Sequence, residues 1–353
     1  MPKYLVVGLG IAGVSFCHTL EKHGKSFHVI SNQSQNSSRV AGGLYNPVVL
    51  KRFKPVWMAR QQLDMLRPFY KSLEVLLEHK LDYPLAVCRR FNSIEEQNNW
   101  FEAADHPELG PFLNLNLMPN RNPAIDAPFY YGNVIGTGRV NTASLIERYE
   151  EYLNKSERLT KGTFSFEELE ITDVGIRYGD MEAENIVFAT GFGLKDNPYF
   201  NYLPLQGSKG ELLTIEAPDL DEKKIIKSSV FIIPLGHGFY KVGATYNNKD
   251  KSALPTEEAR KELLDKLNTF LKCDYEVVDQ VAGIRPTVSD RRPLVGRHPE
   301  HRKLYVLNGL GSRGVMIAPF AADHLYRFIE NDDALPAEMN ISRFEKKYAA
   351  TKV

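Results

Sequence analysis

Lys3-Tyr4-Leu5-Val6-Val7-Gly8-Leu9-Gly10-Ile11-Ala12-Gly13-Val14 is the stretch whose reading decides the fold. The apolar run from Tyr4 to Val7 suits a buried strand, and glycines follow it at positions 8, 10 and 13. From Ala12 to His23, apolar side chains recur at Val14, Cys17 and Leu20, the spacing of one helix face, until Gly24 ends the pattern. Phe27 to Ile30 is a second apolar run. Together these make a β-α-β unit with parallel strands, because the helix carries the chain back across the sheet. Each glycine has its own task. Gly8 permits the tight turn, Gly10 lets a pyrophosphate approach backbone, and Gly13 lets the helix pack on the strand. The first helical amides, at Ile11 and Ala12, then face the phosphates. Spacing alone does not separate FAD from NAD.

Beyond this unit, Ser31 and Asn32 stand where an acidic residue usually closes the second strand against a ribose. A hydroxyl or amide still hydrogen-bonds a ribose, with less strength than a carboxylate. The polar run Ser31 to Ser38 leads into Ala41, Gly42, Gly43 and Leu44, small enough to admit a bulky ligand against backbone. Val56 to Lys80 has an amphipathic helical pattern with a bend expected near Pro68. Residues 82–135, rich in Asn, Pro and aromatics, predict an insertion of strands and loops. A helix is predicted over Thr142 to Leu153, a hairpin over Phe164 to Tyr178, and a strand over Asn185 to Phe188 running into Ala189, Thr190 and Gly191. Leu212 to Ile215, Val230 to Ile233 and Phe239 to Val242 predict an antiparallel sheet, and Thr256 caps a further helix. Leu304 to Leu307, the turn Gly309 to Gly314 and a helix from Ala318 form a second strand-glycine-helix unit. The fold class expected is α/β: a Rossmann-like domain plus an α+β domain built on a mostly antiparallel sheet.

Composition excludes several function classes. At 353 residues and 43% hydrophobic the chain has material for two or three domains. Lys plus Arg and Asp plus Glu both total 44, so no global attraction to nucleic acid or membrane follows. The three cysteines, Cys17, Cys88 and Cys273, are widely spaced and unpaired, against a disulfide framework or a zinc site. No His spacing suggests a metal. No apolar run approaches the roughly 20 residues needed to span a bilayer, so a soluble cytoplasmic protein without a membrane partner is expected.

The glycine motif, the segment Ser37-Ser38-Arg39-Val40-Ala41-Gly42-Gly43-Leu44, the Ala189-Thr190-Gly191 strand end and the run from Gly283-Ile284-Arg285-Pro286 to Gly296 resemble, in their order, the D-amino-acid oxidase superfamily of FAD-dependent oxidoreductases. Within it, Val230-Phe231-Ile232-Ile233-Pro234, Val242-Gly243-Ala244-Thr245 and Gly296-Arg297-His298-Pro299-Glu300 are similar to glycine oxidase. Gly309-Leu310-Gly311-Ser312-Arg313-Gly314 with Ala318-Pro319, and Val242 to Tyr246, more closely resemble the FAD domain of the bifunctional enzyme that matures 5-methylaminomethyl-2-thiouridine in tRNA. Arg313 matches that enzyme, where glycine oxidase has its arginine one position earlier. The resemblance spans nearly the whole chain. It implies that residues 1–80, 137–205 and 281–353 are three parts of a FAD-binding domain, and that 81–136 and 206–280 are two parts of a substrate domain. It implies FAD held noncovalently, since Gly283 to Asp290 lacks the Cys that attaches flavin in some members.

By the same resemblance, Gly8, Gly10, Ile11, Ala12 and Gly13 would hold the pyrophosphate, and Ser31 or Asn32 the adenosine ribose. Ser38, Arg39, Ala41, Gly42, Gly43 and Leu44 would border the pyrophosphate and flavin, with Ala189, Thr190 and Gly191 along the cofactor. Gly311, Ser312, Arg313, Gly314, Val315 and Met316 would offer amides to the pyrimidine edge of the flavin. Arg285 would grip a substrate carboxylate through its planar fork, the alternative being a structural ion pair with Asp290 or another carboxylate. Lys241 would serve oxygen activation, the alternative being a surface lysine. Tyr246, Tyr45 and Phe231 would wall the substrate site, the alternative being core packing. The implied activity is hydride transfer from the carbon beside an amine to flavin N5, on a small amine or amino acid, with oxygen as acceptor. Removal of a carboxymethyl group from a wobble uridine in tRNA is the alternative, kept open by basic clusters at Lys51 to Lys54, Arg89-Arg90 and Arg291 to Lys303. A dehydrogenase passing electrons to a partner is a third reading.

Overall fold

The computed structural model describes residues 2–32 and 34–350. Met1, Gln33 in the polar loop and residues 351–353 lie outside the described residues.

Tyr4–Val7, one tyrosine and three aliphatic residues, is buried on both faces, as expected of a strand inside a parallel sheet. It lies in a six-stranded sheet, ordered Leu159–Lys161, Phe27–Ser31, Tyr4–Val7, Asn185–Phe188, Leu304–Asn308 and Leu294–Arg297. All neighbours are parallel except the last pair. The strand Leu159–Lys161 carries no apolar run, and the sequence pattern did not reveal it. Helix α1 (Ile11–Lys22) follows the first glycine turn, and the four-residue α2 (Ser37–Val40) follows the polar loop. Pro68 lies inside α3 (Ala59–Leu77) without ending it, and Leu66, Phe69, Tyr70 and Leu73 form the buried stripe.

Residues 82–135 depart from the expected strands and loops, because α4 (Ile94–Ala104) stands among them. Ser93 Oγ accepts the Glu96 N–H at 3.3 Å, while the Glu96 carboxylate accepts the Asn92 N–H at 2.9 Å, so the helix start is closed from both sides. The helix lacks an apolar stripe, which is why periodicity missed it. One residue anchors it: Trp100 is fully buried between Phe53 and Phe91, with its indole N–H on the Asn114 carbonyl at 3.0 Å.

Helix α5 (Thr142–Lys155) appears as predicted, whereas the predicted hairpin is a three-stranded meander over Leu169–Ile171, Ile176–Tyr178 and Met181–Ala183. The second large sheet has seven strands, ordered Glu276–Arg285, Ser208–Glu216, Phe239–Gly243, Phe231–Gly236, Ile225–Lys227, Val87–Arg90 and Tyr131–Val134. Only the pair Ile225–Lys227 and Val87–Arg90 is parallel. Alternation assigns its two faces. Leu213, Ile215, Ile232 and Val242 point to α6 (Glu257–Leu267), where Leu263 and Leu267 cover them. Gly210, Leu212, Phe231 and Ile233 point the other way, into a cavity. Helix α7 (Gly314–Glu330) starts four residues before the predicted Ala318 and packs against α1 and α3. Its Glu330 pairs with Lys3 at 3.0 Å and Lys25 at 2.5 Å and accepts the Tyr4 hydroxyl, joining the start of the chain to its last long helix. Among the described residues no helix is long and apolar enough to cross a membrane.

Glu74 clamps the end of α3, accepting the Leu81 and Asp82 N–H groups at 2.9 Å each and lying 3.0 Å from Lys80 Nζ. Burial opposes its ionisation, but the two amides and the ammonium outweigh burial and hold its carboxyl at about 2. A carboxyl depressed by folding stabilises the fold above its unfolded pKa, about 4.3, and loses that contribution as pH falls through the folded value. Glu74→Gln is expected to be less stable than the parent by roughly 1–3 kcal/mol at neutral pH. The gap should close on acidification toward about pH 2, as read by urea unfolding at successive pH values. A gap unchanged by acid would assign the loss to packing.

Candidate active site

A cavity of about 1200 Å³ lies between the strand ends of the parallel sheet and the uncovered face of the antiparallel one. Gly8, at φ +100°, starts its wall, and a methyl there would come within 2.6 Å of the Ala189 carbonyl oxygen. A methyl on Gly13 would overlap the Gly8 carbonyl, so α1 sits hard against the turn. Gly13 is therefore behind the wall, while Gly8, Gly10, Ile11 and Ala12 are on it. Ser38 Oγ accepts the Ile11 N–H at 3.1 Å, which brings α2 to the N-terminus of α1 and leaves the hydroxyl proton to donate.

Ser31, Asn32, Arg39, Ala41, Gly42, Gly43, Leu44, Ala189, Thr190, Gly191, Gly311, Ser312, Gly314 and Val315 all line the same cavity. Asn32 Nδ2 donates to Thr163 Oγ1 at 3.1 Å, and Arg39 pairs with Glu150 at 2.6 Å. Asn308 Nδ2 donates to the Gly191 carbonyl at 3.0 Å and so ties the start of the Gly309 turn to the Ala189 to Gly191 strand end. Five buried polar atoms of this wall have no hydrogen-bond partner among the described residues: Trp57 Nε1, Gln62 Oε1, Thr142 Oγ1, Thr190 Oγ1 and Ser208 Oγ. An orphaned buried polar atom costs about 1–3 kcal/mol, so five on one wall point to a polar ligand that satisfies them. The glycine cradle at the start of a helix and these unpaired groups fit a dinucleotide, FAD included.

Further along, the Arg285 guanidinium donates to the Thr245 carbonyl at 3.2 Å from both Nη atoms and to the Lys209 carbonyl at 3.4 Å. Its Cζ lies 4.4 Å from the centre of the Tyr246 ring. Burial pushes this guanidinium below its usual pKa and the Tyr246 phenol partly offsets that. Among the described residues no carboxylate pairs with it. Asp290, the partner considered from sequence, instead accepts from Arg343 at 2.9 Å. Arg313 also lines the cavity, and its pKa is likewise lowered, by burial first, then by Arg291, with Tyr246 opposing.

Three further sequence candidates fall off the wall. Lys241 is half-buried behind Val40, whose carbonyl accepts its ammonium at 3.3 Å, and burial and then Arg139 lower its pKa. Met316 is fully buried in α7. Tyr45 is 1% exposed with its hydroxyl on Asp82 at 2.9 Å, which makes it a core residue, whereas Phe231 and Tyr246 do line the cavity. Among the described residues no cluster of three or more His, Cys, Asp and Glu side chains is placed to hold a metal.

Sequence reading missed two residues. A methyl on Gly210 would overlap the Arg285 guanidinium, so the missing side chain is the space that the arginine fills. A glycine inside a strand was the signal available. Its neighbour Lys209, 1% exposed, extends its ammonium to Asp250 at 2.5 Å and Glu211 at 3.4 Å. It thereby fastens the segment after Tyr246.

A glycine cradle that fits a dinucleotide faces the open side of an antiparallel sheet across one cavity. Residues 3–327 match the family described as FAD dependent oxidoreductase, DAO, and the chain belongs to it. It is similar to the uncharacterized oxidoreductase YurR of Bacillus subtilis, 23% identical across 93% of this chain and 95% of that one. Glycine oxidase of B. subtilis is 28% identical over 48% of each chain. The tRNA 5-methylaminomethyl-2-thiouridine biosynthesis bifunctional protein MnmC of Azoarcus is 26% identical over 45% of this chain, which matches only 28% of that longer protein. The crystal structure of glycine oxidase from Bacillus cereus superposes with a TM-score of 0.78 at 19% identity, covering 95% of this chain and 96% of that one, and shares the fold.

Gly210→Ala provides a test of the arginine's seat. The variant should keep its flavin, because a methyl at Gly210 meets the Arg285 guanidinium and no atom of the cradle at Gly8 to Ala12. Its affinity for acetate, followed by the perturbation of flavin absorbance, should fall by about 10–100-fold, the equivalent of one charged hydrogen bond. Unchanged acetate binding would mean that Arg285 does not hold carboxylates from this seat.

Proposed function

We propose that this chain oxidises a small amine or amino acid bearing a carboxylate, with oxygen as the electron acceptor. The observation that carries the reading is Arg285, a half-buried guanidinium on the cavity wall, braced by two backbone carbonyls and paired with no carboxylate among the described residues. A buried cation left without a counterion is costly unless a ligand supplies one. The bracing fixes the plane of the fork, and a carboxylate meeting that fork is held in one orientation.

FAD, when bound, supplies a hydride acceptor. Arg285 sets the carboxylate, and therefore the neighbouring carbon, in place. Phe231 and Ile233 exclude water from that side, and Tyr246 covers the guanidinium. The substrate must present a neutral amine, whose lone pair forms the C=N bond as the carbon loses its hydride. The nitrogen then releases its proton and water converts the imine to a carbonyl compound and an amine. Oxygen takes up the two electrons with two protons and leaves as hydrogen peroxide. No protein base is required, so positioning is the chain's main contribution.

A second reading, oxidation of a modified wobble uridine in tRNA, is supported by Lys51, Arg52, Lys227 and Lys266 on the cavity wall and by the partial match to MnmC. RNA held by such residues would dissociate steeply with salt. We expect no salt-sensitive tRNA binding at micromolar protein. A salt-dependent complex weakened by Lys51→Ala with Arg52→Ala would favour the tRNA reading.

The main reading is tested by mixing holoprotein anaerobically with glycine, sarcosine, proline and D-amino acids. At least one should bleach the flavin, and air should restore the colour with one hydrogen peroxide per turnover. Arg285→Ala should raise KM for that substrate by about 10–100-fold or more while flavin content stays normal. Wild-type kinetics in this variant would remove Arg285 from the site. Bleaching without peroxide would make the protein a dehydrogenase.

A further inference from the structure

The chain as a whole is electrically neutral, yet the cavity wall is not. Ten Lys and Arg residues line it against two acidic ones, Glu150 and Asp196. Glu150 is already engaged by Arg39 at 2.6 Å and Lys161 at 2.9 Å, on the side of the polar loop. A pyrophosphate brings two further negative charges to that side. Away from that side the excess remains, and Arg285 and Arg313 are part of it. Both are half-buried, both interact with the Tyr246 phenol, and neither pairs with a carboxylate among the described residues. They come from different layers: Arg285 ends the strand Glu276–Arg285 of the antiparallel sheet, and Arg313 starts α7 beside the parallel one.

We propose that the substrate carries two carboxylates, one held by Arg285 and the other by Arg313, so that the oxidised carbon and its amine lie between two anionic ends. This rests on the amine-oxidising reading above and specifies its substrate class as an amino dicarboxylic acid or an N-carboxymethyl amino acid. One carboxylate answers Arg285 and leaves Arg313 a desolvated cation facing the same space. A second carboxylate removes that penalty. Phosphates of a long RNA would meet the exposed Lys51 and Arg52 first, whereas these two arginines are set inside.

The test uses holoprotein titrated at constant ionic strength with acetate, malonate, succinate and glutarate, each read by flavin absorbance. At least one dicarboxylate should bind about 10–100-fold more tightly than acetate, the increment of one charged hydrogen-bonded pair. Arg313→Ala and Arg313→Gln should abolish that advantage while acetate binds as before, and Arg285→Ala should weaken both classes. Arg291→Ala, which removes a nearby exposed cation, should preserve the advantage. Equal binding of acetate and all three dicarboxylates overturns the proposal. So does an advantage that survives Arg313→Ala, or one lost equally in Arg291→Ala, which would be a diffuse field. If Arg313→Ala shifts flavin affinity or potential but not the dicarboxylate preference, Arg313 serves the cofactor and the proposal is overturned. In each of these cases, bleaching by a monocarboxylic amino acid leaves the amine-oxidising reading intact. Absence of bleaching by every amine overturns that reading itself.

Discussion

The constraint on which the molecule depends is the close approach of three backbone segments: Gly8 in its turn, Gly13 in α1 and the Ala189 carbonyl at the end of the adjacent strand. A side chain at either glycine would push α1 off the sheet, because the space belongs to carbonyl groups that cannot move without breaking the strand. With α1 in place, its N-terminus meets Ser38, and through Ser38 the short α2 is set over the mouth of the cavity. α2 in turn meets the strand Glu276–Arg285, where Gly283 leaves room for Val40 and Ser37. One tight turn at the start of the chain thus orders contacts that reach the strand carrying Arg285, nearly three hundred residues later in sequence.

The two layers divide the chemistry between them. The parallel sheet ends in loops and helix starts, where backbone amides are available and side chains are small. The antiparallel sheet offers a flat face with a fixed alternation, so every second residue can be given to the cavity without disturbing the hydrophobic layer under α6. Leu213, Ile215 and Val242 serve the core, while Gly210, Leu212 and Ile233 shape the site. Substrate recognition can therefore change by substitutions on one face while the packing on the other stays the same.

Much of this was legible in the chain because glycine spacing and aliphatic runs report local geometry directly. The glycine turns, the strand Asn185–Phe188, α5 and α6 follow from periodicity and caps. The helix α4 was not legible, since it is held by one buried tryptophan and a polar cap rather than by an apolar stripe. The edge strand Leu159–Lys161 was hidden because its residues are mostly polar and it forms only by pairing with Phe27–Ser31. In the candidate site, the residues that a local motif puts on the cavity wall, such as Gly8 to Ala12, could be named in advance. Tyr45 and Lys241 could not be placed, because whether a strand residue faces the core or the cavity is set by register with partners far away in sequence. Gly210 escaped because what matters there is an absent side chain, visible only once Arg285 lies across it.

Lys209 joins two things usually kept separate. Its carbonyl braces Arg285, and its ammonium holds Asp250 and the carbonyl of Leu254, so the segment after Tyr246 is pinned from beneath by a residue solvent does not reach. The Asn247 side-chain oxygen helps by accepting the Asp250 N–H at 3.0 Å, whereas the exposed side chains of Asn248 and Lys249 bear little on the pin. Such an arrangement permits drift: the exposed rim can accumulate changes over evolutionary time without losing the loop's position. A lineage under selection for a new substrate would find this stretch open to variation while the arginine beside it stays where it is.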